Sequence, residues 1–262
     1  MEDGIFLPVL FMKNLSSFVR GQMQDFRILL RNIPSLVLSV FILSLVCANL
    51  LANKELISTK YVVLDCGFFF SWIMFLCMDI ICKRWGASSS IKVSLVALVI
   101  NLAVCLIFAL LAKTPGKWGE FYATESMAVN DALNATFGGS WYIVLGSATA
   151  FLVSSVVNGF LNGKIASKLK KDNFLAFAIR SYISTLTAQF ADNFIFAVMV
   201  SKVFFGWTWT QVFICSAIGS VFELLCEVLF SGLGYKIVRS WEKDKIGQEY
   251  LTYISNKTKA AF

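Results

Sequence analysis

Six charged side chains stand inside long apolar runs: Asp65, Asp79, Arg180, Asp192, Glu223 and Glu227. A charge at that depth in a membrane is costly, about 2.5–3.5 kcal/mol even on lenient scales, and it marks function more often than packing. Their helical phase groups them with other polar residues. Ser181, Thr185, Gln189, Asp192 and Phe196 fall on one stripe, and Ser216, Ser220, Glu223, Glu227 and Ser231 on another. Asp65, Phe69, Trp72 and Asp79 share a third face, Ser147, Ser154 and Asn158 a fourth, and Asn49 and Asn53 lie one turn apart. Stripes on five helices predict one central pocket lined by carboxylates, amides and aromatic rings. Such a pocket suits a flat, neutral or cationic ligand rich in N–H groups, because a carboxylate accepts paired N–H bonds and an aromatic face stacks on a ring. Proteins that read an extracted nucleobase combine the same two contacts.

Other chemistry is excluded by what the chain lacks. There is no His among 262 residues, which removes His-dependent acid–base catalysis, Ser-His triads and His-ligated metals. The seven Cys form no C-x-x-C pair, so they predict neither a zinc site nor a disulfide framework. Gly159–Ile165, GFLNGKI, is one residue short of a phosphate loop and has Ile after its Lys. The expectation is therefore a non-enzyme without cofactor or metal.

The elements that must position the polar stripes follow from composition. Hydrophobic residues make up 58% of the chain, with 25 Phe, and charged residues only 15%. Soluble domains carry roughly 25% charge, so the surplus apolar surface calls for lipid. Six runs are long enough to cross a bilayer as helices: Ile33–Asn53, Tyr61–Ile81, Ile91–Ala112, Trp141–Gly163, Arg180–Phe205 and Val212–Tyr235. The fifth is long enough to be broken or tilted. Of the 23 Lys and Arg, 17 fall on the side that holds both termini and 5 on the other, which places both termini in the cytoplasm. The net charge of +7 is then loop charge and not a nucleic-acid signal. The expected organisation is a cytoplasmic segment over 1–32, with Phe11, Leu15, Phe18 and Val19 spaced for an interfacial helix, a membrane domain over 33–235, and a basic cytoplasmic tail over 236–262. Lys113–Ser140 is expected as one long outer loop.

Helix five reads RSYISTLTAQFADNFIF, and its R-x-x-x-S-T-x-x-x-Q-x-x-D-x-x-x-F string resembles the queuosine precursor transporter family, also called the vitamin uptake transporter family. Ala48–Lys54 (ANLLANK), Asp79–Gly86 (DIICKRWG), Phe137–Asn158 and Glu227–Tyr235 (EVLFSGLGY) resemble its other pieces in the same order. Lys83, Asn158 and Gly232 depart from its usual Glu, Asp and Pro. The resemblance implies an all-α integral membrane protein of the bacterial inner membrane, with six transmembrane helices around a central polar pocket, similar to energy-coupling-factor substrate-binding subunits. It implies import of a 7-deazaguanine: 7-cyano-7-deazaguanine, 7-aminomethyl-7-deazaguanine or queuine. The expected binding residues are Asn49, Asp65, Phe69, Trp72, Asn158, Arg180, Thr185, Gln189, Asp192, Phe196 and Glu227. Expected partners are the deazapurine base and the lipid bilayer, with a homo-oligomer or a separate ATPase module docking on the Ala48-x-x-x-Ala52 step as alternatives.

Overall fold

The computed structural model describes residues 20–168 and 174–259. The chain is almost entirely helical: α1 (Arg20–Asn32), α2 (Ser35–Leu51), α3 (Phe68–Trp85), α4 (Ala87–Leu111), α5 (Gly119–Thr124), α6 (Met127–Gly138), α7 (Trp141–Lys168), α8 (Phe174–Phe196), α9 (Trp209–Lys243) and α10 (Gln248–Lys259). A helix lies over each of the six predicted runs. By length and apolar composition alone, three stretches could cross a membrane: Ala87–Leu111, Met127–Ser154 and Trp209–Phe230. A fourth is available if α1 and α2, bent by 105°, count together. The bend falls at Pro34, whose ring disfavours helix at Ile33 and whose φ of −56° suits the start of α2. Of the two remaining runs, α3 holds three charged residues, Asp79, Lys83 and Arg84.

Three local expectations are corrected. The second run does not start its helix at Tyr61. Residues before Phe68 form an antiparallel hairpin, β1 (Glu55–Ser58) and β2 (Val63–Asp65), with Glu55 opposite Asp65 and Ser58 opposite Val63. Thr59 closes its turn by bonding both the N–H and the carbonyl of Val62. Asp65 is therefore a strand residue and cannot share a helical face with Phe69 and Trp72. Second, Lys113–Ser140 is not a plain loop, since it contains α5 and α6. Third, helix six runs past Tyr235 to Lys243. The fifth run, long enough to be broken or tilted, winds without a break from α8 into a π-helical turn over Ala197–Lys202. The amphipathic pattern at Phe11, Leu15, Phe18 and Val19 lies outside the described residues.

Packing fixes these elements in two zones. At one end, α1, α10 and the α3–α4 corner enclose a core of Leu29, Ile81, Trp85, Val93 and Trp241. Gly86 turns that corner with φ +88°, a value open to glycine and strained for other residues. Arg84 donates twice to the Ile246 carbonyl, at 2.7 and 3.1 Å, and ties α3 to the α9–α10 connection. At the other end the hairpin folds onto α9 and the segment after α8. Trp207 Nε1 donates to Glu55 at 3.1 Å, and Val63 N to Cys215 Sγ at 3.2 Å. A capping box between Thr208 and Gln211 starts α9, and the Gln211 amide also reaches the Thr59 carbonyl. Apolar side chains such as Leu106, Val156 and Leu229 point outward, 60%, 71% and 75% exposed. That is the surface a lipid phase covers.

Candidate functional site

The polar stripes of α7, α8 and α9 meet in a row. Ser154 on α7 donates to Asp192 on α8 at 2.9 Å. The next residue, Asn193, donates to Glu223 on α9 at 3.1 Å. The Ser71 hydroxyl of α3 also bonds Glu223, which is 5% exposed and lies near Asp192. Gly219 makes room for the amide, since a Cβ there would sit 3.0 Å from Asn193 Nδ2. Neither Asp192 nor Glu223 makes an ion pair with a basic side chain among the described residues. Lys202 is occupied over the Trp209 ring, 4.7 Å from its centre. One turn earlier on α8, Gln189 is 3% exposed, and neither its amide nitrogen nor its oxygen has a partner among the described residues.

Asp192 and Asn193 are consecutive, so they face different ways from α8. Asn193 looks into a cavity of about 60 Å³ roofed by the hairpin and lined by Asp65, Phe68, Phe196, Ser201, Trp207 and Ser216 among others. Asp65 shapes its mouth by accepting the Phe68 N–H at 3.1 Å, which caps the exposed start of α3. Gly67 is required in that corner, because a Cβ would run into the Ala48 carbonyl of α2. Asp192 looks instead into a second cavity, of about 40 Å³, between α2, α3, α4 and α7, walled by Phe41, Leu45, Phe75, Ser94, Ser147 and Phe151 among others.

The single pocket expected from the stripes is thus divided. Of the expected residues, Asp65 and Phe196 share the hairpin-side cavity, and Asp192 stands back to back with it. Gln189 is adjacent on α8. Asn49 lies elsewhere, in a small cavity with Asn101, Cys105 and Ser140. Phe69 is 56% exposed and lines none of these spaces. Trp72 is spent on helix packing, stacked on Phe230 at 4.4 Å. Thr185 is half-buried one turn before Gln189. The side chains of Asn158, Arg180 and Glu227 lie outside the described residues. The structure adds Asn193, Glu223, Ser154 and Trp207. Glu223 and Ser154 carried a readable signal in their polar stripes. Asn193 sits one residue off its stripe, and Trp207 follows the π turn, beyond the reach of a helical wheel. Among the described residues no cluster of acidic or Cys side chains could hold a metal ion.

No curated protein and no solved structure matches the chain. A family model described as "Putative vitamin uptake transporter" matches residues 65–237, two thirds of the sequence, from the last hairpin residue through most of α9. This match spans the whole Ser154–Asp192–Asn193–Glu223 row, and the chain belongs to the vitamin uptake transporter family, which is the queuosine precursor transporter family.

Proposed function

We propose that this membrane transporter imports a 7-deazaguanine precursor of queuosine across the bacterial inner membrane. In this reading α2, α3, α4, α7, α8 and α9 cross the bilayer, both termini are cytoplasmic, and α1 lies along the inner surface. One observation carries the assignment: Asp192 and Glu223 are held in place by neutral donors and lack a basic partner among the described residues. The guanine-like edge of a deazapurine offers a ring N–H and an exocyclic amine, the donors such carboxylates lack. Phe68, Phe196 and Trp207 supply ring faces in the cavity that Asn193, the partner of Glu223, looks into. The same charges repel anionic nucleotides. Bases of this class share a flat ring and are neutral or, where they carry an amine, cationic, and they fit the donor–acceptor pattern best.

A subunit that needs an external ATPase module gains no support. The Ala48-x-x-x-Ala52 step is used inside the chain: Ala52 packs with Ile143 and Val200, and Gly67 covers the Ala48 carbonyl.

The test is nutritional. Cells lacking queuosine synthesis and their own uptake system express this chain, receive each precursor in turn, and have their tRNA scored for queuosine. Restoration by at least one precursor, lost in Glu223→Gln and Asp192→Asn, is the expected outcome. No restoration by any of them, with the protein present in the membrane, rejects the reading.

A further inference from the structure

Three side chains in the groove between α2, α4 and α7 are almost wholly enclosed yet hold hydrogen-bonding atoms without partners. They are Asn49 Nδ2, Ser94 Oγ and Asn101 Nδ2, on residues 6%, 5% and 3% exposed. Native proteins rarely leave such atoms bare, and water is their usual partner where there is room. Room is present. Asn49 and Asn101 line one cavity of about 10 Å³ together with Ser140, enough for a single water. Ser94 lines the next, of about 40 Å³, which ends at Asp192. The two cavities are stacked along the same three helices. Ser94 and Asn101 lie seven residues apart on α4, two turns along one face. Ser140, Ser147 and Ser154 keep that spacing on α7, and Ser154 is the residue that bonds Asp192.

The geometry points to a hydrated path that carries a proton from the outer end of this groove to Asp192, apart from the aromatic cavity on the other side of α8, so that import of the base draws on the proton gradient. This rests on the transport reading and on its orientation. The proton adds to an Asp192 carboxylate oxygen and gives a neutral acid, while Glu223 stays an anion able to accept the N–H edge of the base. Two neighbouring carboxylates without a cation are most cheaply held with one proton between them. The described charged neighbour of Asp192 is Glu223 on α9; Asp65 on β2 and Cys226 on α9 lie around Glu223 in turn. The walls that α2, α3, α4 and α7 give the two cavities are neutral. Beyond Asp192 the groove is closed toward the cytoplasm by the apolar core around Phe41, Ile80 and Val93. Release on that side therefore needs the conformational change that also frees the base.

The experiment reads Asp192 directly and needs no base. Full-length protein in lipid vesicles is moved from H2O to D2O, and the carbonyl stretch of its protonated carboxyl groups is followed by infrared spectroscopy. The Asp192 band is identified by its loss in Asp192→Asn. Asn101→Leu, of similar volume, and Ser94→Ala each remove one foothold for water, and each should slow deuteration of that band about fivefold. Both variants should melt at or above the wild-type temperature, whereas a purely structural role for these groups lowers it. In the same vesicles, 7-cyano-7-deazaguanine added outside should draw protons inward, seen with an enclosed pH dye. Unchanged deuteration in both variants overturns the path, as does the absence of an Asp192 band at every pH. Import of the base without proton movement overturns the coupling. Slowed deuteration with no binding of the base leaves the path standing and removes the deazaguanine reading instead.

Discussion

Gln189 offers the sharpest separation between a binding role and a structural one. Its side chain is 3% exposed, and both polar ends are unpartnered. An amide kept for the fold would bond something in the empty protein; one kept for a ligand waits. Each unmet buried polar group costs about 1–3 kcal/mol. Gln189→Leu removes both groups at similar volume, so the ligand-free protein should gain about 2–6 kcal/mol. For a chain of this size that raises the melting temperature by about 4–24 °C. The same change withdraws a donor and an acceptor one turn from Asp192, and if Gln189 serves the ligand, binding of 7-cyano-7-deazaguanine should weaken at least tenfold, about 1.4 kcal/mol. Thermal unfolding in detergent, with and without the base, reads both effects in one series. The wild type should show the larger ligand-induced shift and the variant the higher starting point. A variant that melts lower than wild type, or keeps its full ligand shift, refutes the reasoning.

Glu223→Gln should weaken binding of the same base by about 10- to 150-fold, the value of a hydrogen bond to a charged group, with little change in melting because the shape is kept; calorimetry and a melt together check this. Asp25 is 4% exposed and accepts from Lys257 at 2.7 and 2.8 Å and from Tyr253 at 2.8 Å, with Lys92 at 3.5 Å. Burial pushes its carboxyl up, but the bonds from Lys257 and Tyr253 and the two positive charges outweigh it and hold it below the ordinary 3.8. The stabilisation is therefore complete above pH 4 and lost as pH falls through the depressed value. Asp25→Asn should cost about 1–2 kcal/mol at pH 7, modest because Lys257 is 45% exposed, and the gap should close in acid melts. Topology is checked by single Cys substitutions in a background without native Cys: in intact cells an impermeant thiol reagent should label position 125 and spare position 258.

The sequence made the helices legible and the site only partly so. Long apolar runs located the elements, and the α8 stripe pointed to Gln189 and Asp192. Orientation of aromatic residues was beyond it. Phe69 and Phe68 are neighbours of one type, yet one faces outward and the other lines the cavity, since lipid and pocket wall are both apolar and pattern cannot separate them. The YVVLDCGFFF stretch hid the hairpin for a related reason. Only Asp65 and Gly67 mark where strand gives way to helix, and the pairing that decides it is made by Trp207 and Cys215, some 150 residues away. The division into separate cavities turns on Asp192 and Asn193 being adjacent, a tertiary fact that a single stripe conceals.

The π turn over Ala197–Lys202 has an evolutionary consequence. A π turn amounts to one residue inserted into an α-helix. Upstream of it are the residues that hold the polar row, Gln189 to Asn193. Downstream are Phe204, stacked on Tyr142 at 3.9 Å, and Trp207, which roofs the hairpin-side cavity. Because the wide turn already absorbs that residue, deleting one residue within 197–202 would restore regular winding and leave Phe204 and Trp207 facing nearly as before, with Asp192 where it is. The acidic floor and the aromatic roof are thus joined by a spacer that tolerates a change of length. A lineage could lose or regain this residue without turning the rings away from the cavity or disturbing the carboxylates beneath.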